Sequence, residues 1–141
     1  MCVVDASVWV SRFSLTDVFH LPSLKWLEDQ FALGEMAVAP AILVVEAAGA
    51  VARRTNNPAE GTEAASLTQR VPYSRLMPME DGLVQLGAQI AADRRLKGAD
   101  ALYVAMAHRL ALPLVTWDRQ QLGQHGHGII VLTPQEALIG G

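Results

Sequence analysis

Four acidic residues stand where the chain can turn carboxylates toward one point. Asp5 directly follows the apolar run Cys2-Val3-Val4, and Asp118 directly follows Leu114-Val115-Thr116-Trp117. Asp100 comes just after Gly98-Ala99 and opens a segment of helical period. Each of these three has an ordinary explanation, because aspartate ahead of a helix is a favoured N-cap. Glu46 has no such explanation. It sits inside Ile42-Leu43-Val44-Val45-Glu46-Ala47-Ala48-Gly49-Ala50, and its neighbours three and four positions away carry no charge to pair with it. Arg53, two turns on, is the nearest basic residue on roughly that face. A carboxylate among apolar positions is costly unless it is protonated, paired or bound to a metal.

Four acids from separate segments describe a site for a hard cation. Mg²⁺ and Mn²⁺ prefer oxygen ligands and keep several of their waters. Such ions polarise a phosphoryl oxygen and supply a water nucleophile near neutral pH. The expected cofactor is therefore one or two Mg²⁺ or Mn²⁺ ions.

The elements that must carry these residues follow from periodicity. Short runs rich in Val and Ile predict strands at Cys2–Val4, Met36–Ala39, Arg75–Met77, Leu114–Trp117 and Ile129–Leu132. Between them, helical patterns cover Ala6–Phe13, Pro22–Leu33, Ala41–Arg54, Pro58–Arg70, Glu80–Leu96 and Asp100–Leu110, with a short helix after Pro134. Asn57-Pro58 places a cap before a proline at the first helical position. Thr133-Pro134-Gln135-Glu136 has the spacing of a capping box. Leu83, Leu86, Gly87, Ile90 and Ala91 share one helical face, and Arg94, Arg95 and Lys97 suit the negative end of that helix. The stretch Arg54–Gly61 reads as a surface loop.

Strands separated by helices imply parallel pairing through right-handed crossovers, hence an α/β fold with a central parallel sheet. In such a sheet ligands bind beyond the carboxyl ends of the strands. Asp5 and Asp118 then emerge on one edge, within reach of one ion if their strands are neighbours.

Bulk properties narrow the classes. The 141 residues fit one domain spanning 1–141, and 51% hydrophobic residues describe a folded globule rather than a disordered chain. The single cysteine, Cys2, excludes an intrachain disulfide and a four-cysteine zinc site, and points to a reducing, cytoplasmic setting. No signal peptide is expected before the first strand, and the apolar stretch Met36–Ala52 is broken by Pro40 and carries Glu46, so no membrane span is expected. The formal charge of −3 looks unfavourable for binding phosphates. If four carboxylates serve metal, the rest of the chain carries +1, and the ions themselves present positive charge to phosphate.

With these residues in order, the chain resembles the PIN-domain family, in particular the VapC-like toxins of toxin–antitoxin pairs. Val3-Val4-Asp5-Ala6-Ser7 is similar to the family's first acidic motif and Leu43-Val44-Val45-Glu46-Ala47 to its second. Gly98-Ala99-Asp100-Ala101-Leu102-Tyr103 is similar to the third and Pro113-Leu114-Val115-Thr116-Trp117-Asp118 to the fourth. Any one motif is weak; the ordered set, spread over the chain, is specific. The resemblance implies a three-layer α/β/α sandwich and a metal-dependent endoribonuclease that hydrolyses RNA phosphodiesters with metal-activated water. It also implies a small antitoxin partner and a homodimer. Asp5, Glu46, Asp100 and Asp118 would be both catalytic residues and metal ligands, with Ser7 and Thr116 supporting them through hydroxyls. Trp117 departs from the small or polar residues common at its position.

Arg12, Arg53 and Arg119, the basic residues nearest three of the acids in sequence, are the candidates for guiding the RNA strand. His125-Gly126-His127 reads as a solvated turn, and Trp9, Trp26 and Tyr103 read as core. Among competing functions, a phosphatase of the haloacid-dehalogenase kind needs a second aspartate two residues after the first, where this chain has Ser7. A receiver-like phosphoacceptor would want an acid after the third strand and a lysine after the fifth, where Pro78 and Thr133 stand. A PIN-like module that binds RNA or protein without cutting would not require all four acids.

Overall fold

A computed structural model describes the backbone of residues 1–140 and the side chains of 1–138; residue 141, the last of the expected domain, lies outside the described residues. The strands are β1 (Cys2–Val4), β2 (Ala37–Pro40), β3 (Ser74–Met77), β4 (Leu114–Val115) and β5 (Val131–Leu132). The helices are α1 (Ala6–Phe13), α2 (His20–Ala32), α3 (Ile42–Thr55), α4 (Pro58–Arg70), α5 (Asp81–Arg94), α6 (Gly98–Leu110), α7 (Arg119–Leu122) and α8 (Pro134–Gly140). The strands form one parallel sheet in the order β3-β2-β1-β4-β5, flanked by helices in a three-layer α/β/α arrangement.

Parallel strands need long crossovers, and helices supplied by those crossovers cover the sheet. The result is visible in β1, where Cys2, Val3 and Val4 are all buried. Around them pack Trp9, Leu27, Leu43, Leu83, Tyr103 and Leu114. Val3 pairs with Leu114 and Val4 with Val115, so β1 and β4 are direct neighbours. Between those two strands the direction of strand order reverses, which opens a crevice at their carboxyl ends.

Three local outcomes that bear on the site differ from the sequence reading. The predicted loop Arg54–Gly61 shrinks to Asn56 and Asn57, with α3 running to Thr55 and α4 starting at Pro58. Asn56 closes α3 in the left-handed conformation at φ 51°, and Asn57 Oδ1 accepts from Ala59 N at 3.0 Å to cap α4. The helices cross so closely that a Cβ on Gly61 would lie 2.5 Å from the Ala48 carbonyl oxygen, so only glycine fits there. Second, β4 ends at Val115 rather than Trp117: Thr116 N still donates to the Leu132 carbonyl at 2.9 Å, whereas Trp117 N turns to Ser7 Oγ at 3.0 Å. Third, α7 was not anticipated; Asp118 caps it through a bond from Gln121 N at 2.8 Å. His125-Gly126-His127 lies in an exposed turn, where His125 Nδ1 accepts from Val131 N at 2.9 Å.

Candidate active site

Asp5 leaves β1 at the crevice, and its backbone N–H still donates to Val115 on β4 at 3.0 Å. Its side chain caps α1 by accepting from Ser7 N at 2.9 Å. Capping and site placement are thus the same geometry. Asp118 likewise caps α7 while lining the same cleft. Glu46 faces the cleft from the middle of α3, and Asp100 from the first turn of α6. The cleft has a volume of about 610 Å³ and holds all four acids together with Arg53, Arg54 and Lys97 on its walls.

Asp5, Glu46 and Asp118 each have a carboxylate oxygen held by a hydrogen bond from the protein. Asp5, 4% exposed, accepts from Gln121 Nε2 at 3.1 Å on Oδ1 and lies 3.3 Å from Thr116 Oγ1 on Oδ2. The same Gln121 Nε2 donates to the Asp100 carbonyl at 3.2 Å, and Gln121 Oε1 accepts from Thr116 Oγ1 at 2.6 Å. This fixes the amide orientation, since a flip would aim oxygen at two acceptors. Thr116 Oγ1 also accepts from Asp118 N at 2.9 Å. The hydroxyls of Ser7 and Thr116 lie 3.3 Å apart, and Ser7 Oγ accepts from Trp117 N at 3.0 Å. Across the cleft, Tyr103 donates its hydroxyl to Glu46 Oε1 at 2.7 Å.

Burial pushes the carboxyls of Asp5 and Glu46 above the ordinary carboxylate range, and neighbouring acids push them further: Asp118 on Asp5, Asp5 and Asp100 on Glu46. Burial, then Asp118 and Asp5, raises Asp100 to about 6. Burial also raises the Tyr103 phenol, so it stays protonated and acts toward Glu46 purely as a donor. A cleft whose acids raise one another's pKa favours any cation that enters it.

The donor set fits a hard divalent ion: four carboxylates, no thiol and no imidazole line the cleft. Among the described residues, no three His, Cys, Asp or Glu side chains converge tightly enough to enclose an ion by themselves. An Mg²⁺ ion that retains waters and takes one or two carboxylates directly does not require such an enclosure.

The arginine expectations divide. Arg53 lines the cleft, while Arg12 and Arg119 are not among its lining residues. Arg12 lies seven residues beyond Asp5, roughly 10 Å further along α1 at 1.5 Å per residue, over the Phe13 ring at 5.4 Å. Arg119 adjoins Asp118, and adjacent helical residues do not share a face. Arg54 and Lys97, which the sequence reading did not single out, line the cleft beside Arg53. Gln121 and the Tyr103 hydroxyl were also missed. The Asp118-x-x-Gln121 spacing carries a capping-box signal for the first, and the Asp100-to-Tyr103 spacing of three puts both on one helical face for the second.

The PIN domain family model matches residues 2–124 of the chain. No curated protein sequence matches it. Among solved structures, it is similar to the sarcin–ricin loop-cleaving toxin VapC20 of Mycobacterium tuberculosis, with a TM-score of 0.70 and 15% identity over 84% of this chain and 90% of that one. It is also similar to a toxin–antitoxin complex from Klebsiella pneumoniae, with a TM-score of 0.67 and 17% identity over 95% and 98%. A third likeness is to FitAcB from Neisseria gonorrhoeae, with a TM-score of 0.70 and 19% identity over 96% and 99%. At these identities the likeness concerns the fold.

Proposed function

The chain belongs to the PIN domain family, and from that membership we propose that it is a metal-dependent endoribonuclease, the toxin of a toxin–antitoxin pair. The observation that carries this reading is the gathering of Asp5, Glu46, Asp100 and Asp118, from four separate segments, on the walls of one cleft at the switch point of the sheet. A purely structural role accounts for Asp5 and Asp118 as caps; it does not account for Glu46.

The protein's own contributions to the reaction follow from the geometry. Arg53, Arg54 and Lys97 on the cleft wall draw a phosphodiester toward the acids, a long-range attraction that salt weakens. Gln121 and Tyr103 hold Asp5 and Glu46 in place beforehand, so the carboxylates need little reorganisation when ligand arrives. Asp5, Glu46, Asp100 and Asp118 would hold one or two Mg²⁺ or Mn²⁺ ions. Such an ion, when bound, stabilises charge on the phosphoryl group and lowers the pKa of water. An unpaired RNA strand suits the site best, because it enters without the unpairing cost a duplex would incur.

A small antitoxin protein and a homodimer belong to the same proposal, as does a single domain spanning 1–141 in the cytoplasm. Support for the partner comes from the likeness to a toxin–antitoxin complex and from exposed apolar side chains such as Leu15, Val18 and Leu21. Among the described residues no helix is long and apolar enough to cross a membrane.

The test offers structured RNA, unstructured RNA and duplex DNA at equal concentration, with Mn²⁺ or with chelator, to the wild type and to Asp100→Asn. Metal-dependent cutting of unstructured RNA by the wild type alone is expected. Equal activity in both proteins would remove the assignment, and preferential cutting of duplex DNA would replace the substrate.

A further inference from the structure

Beside the acidic cleft lies a second groove of about 330 Å³, which shares Ser7, Arg54 and Asp118 with it and is walled by Phe19 and Trp117. The two rings stack nearly parallel, 9° apart with centroids at 4.1 Å. Both are fixed. Trp117 donates Nε1 to Ser23 Oγ at 2.8 Å and its backbone N to Ser7 Oγ at 3.0 Å. Phe19 N donates to Asp17 Oδ1 at 2.7 Å, and Asp17 is tied by an ion pair to Arg54 at the end of α3. Phe19 remains 38% exposed and lines the groove.

We propose that the Phe19–Trp117 stack is a platform for one unpaired nucleobase of the strand whose phosphate enters the acidic cleft. The proposal rests on the nuclease reading above and adds the base-binding subsite to it. Aromatic faces hold bases by stacking, which tolerates any base because every base has a π-face. The hydrogen bond on the Trp117 indole lowers the entropy cost of ordering that ring on binding. Its position follows from the shared wall: Ser7, Arg54 and Asp118 line both grooves, so a base against the aromatic pair leaves its sugar–phosphate beside the acids. The groove therefore takes a base of either class, with purines favoured by their larger face.

Tryptophan fluorescence can follow this contact, because Trp9 and Trp26 are buried at 1% and 2% exposure while Trp117 is only partly so. The probe is a cleavage-resistant phosphorothioate hexaribonucleotide in Mg²⁺, compared with an abasic strand of equal length. The base-bearing strand is expected to quench indole emission and to bind about tenfold more tightly, equivalent to roughly 1.4 kcal/mol. Phe19→Ala should abolish that difference, and Phe19→Tyr should keep it, with both variants checked for an unchanged melting temperature. Equal affinity of the two strands for wild type, or a difference that survives in Phe19→Ala, overturns the platform while leaving the nuclease reading intact. Failure of wild type to bind or cut any RNA overturns both. If Phe19→Ala keeps RNA binding intact but changes the oligomeric state, the face is a protein contact and the proposal falls.

Discussion

Gln121 donates its amide to Asp5 Oδ1 at 3.1 Å from a side chain with no exposed surface, and thereby joins α7 to the end of β1. The same side chain serves Thr116 and the Asp100 carbonyl. Gln121→Leu leaves these groups short of partners and is expected to destabilise the protein by about 1–3 kcal/mol. Gln121→Glu places a carboxylate against Asp5 and should cost more at pH 7.5, with the deficit shrinking toward pH 5 as the pair gains a proton. Urea unfolding at the two pH values measures both effects. A Gln121→Glu variant as stable as wild type at pH 7.5 would show that Gln121 is not the joint described.

Tyr103→Phe removes only the hydroxyl that reaches Glu46. The ring stays buried, so stability should change by about 1 kcal/mol or less. RNA cleavage is expected to fall by about tenfold, the equivalent of roughly 1.4 kcal/mol, because Glu46 is then free to move. Cleavage equal to wild type at matched metal concentration would leave Tyr103 with a packing role alone.

Asp5→Asn and Asp118→Asn separate capping from site chemistry. Asparagine is as good an N-cap as aspartate, so the bonds from Ser7 N and Gln121 N persist. Each variant should lose cleavage. Asp118→Asn should have a metal-free melting temperature equal to or above that of wild type, because one repelling charge has gone. In Asp5→Asn, loss of the bond from Gln121 Nε2 offsets that gain. A clearly lower melting temperature in both would mean that charge on these residues supports the fold itself.

Metal-free protein should become less stable as pH rises from about 4 to about 6. The Asp100 carboxyl is raised from its ordinary value of 3.8 to about 6. Between those values the folded chain holds a proton that the unfolded chain has released, so stability falls with rising pH across that window. Asp5 and Glu46 are raised as well and add in the same direction. Mn²⁺ should raise the melting temperature at pH 7.5 and weaken or reverse this trend, since protons then compete with the ion. Melting curves in chelator and in Mn²⁺ check both statements, with Asp5→Asn combined with Glu46→Gln as the variant in which the Mn²⁺ effect should vanish. An unchanged Mn²⁺ response in that variant would place the ion elsewhere.

The parallel sheet was legible because apolar runs such as Cys2-Val3-Val4 and Leu114-Val115 alternate with helical periods, and hydrophobic burial reads period directly. Asp5 and Asp118 were legible as strand-end residues, and Glu46 as an acid without a local partner. What the sequence concealed depends on three-dimensional reach. The Tyr103 hydroxyl meets Glu46 from a different helix, and Gln121 sits on a four-residue helix too short to show a period. Arg54 and Lys97 reach the cleft from the end of α3 and the N-cap of α6, positions where a cation first reads as a helix-end charge. The loop predicted at Arg54–Gly61 failed for a related reason: polar residues there cap two helices instead of separating them.

The pairing of β1 with β4 also sets when the cleft can come into being. Asp5 and Thr116 are 111 positions apart, and such a contact forms only after the closure entropy of the intervening chain has been met. A chain made from its N-terminus has three strands and the α3–α4 hairpin in hand before Leu114 and Val115 exist to complete the crevice. The set of four acids is complete only while β4 is paired with β1, because Asp118 follows that strand. Whatever chemistry the cleft performs is withheld from partly made or partly unfolded chains.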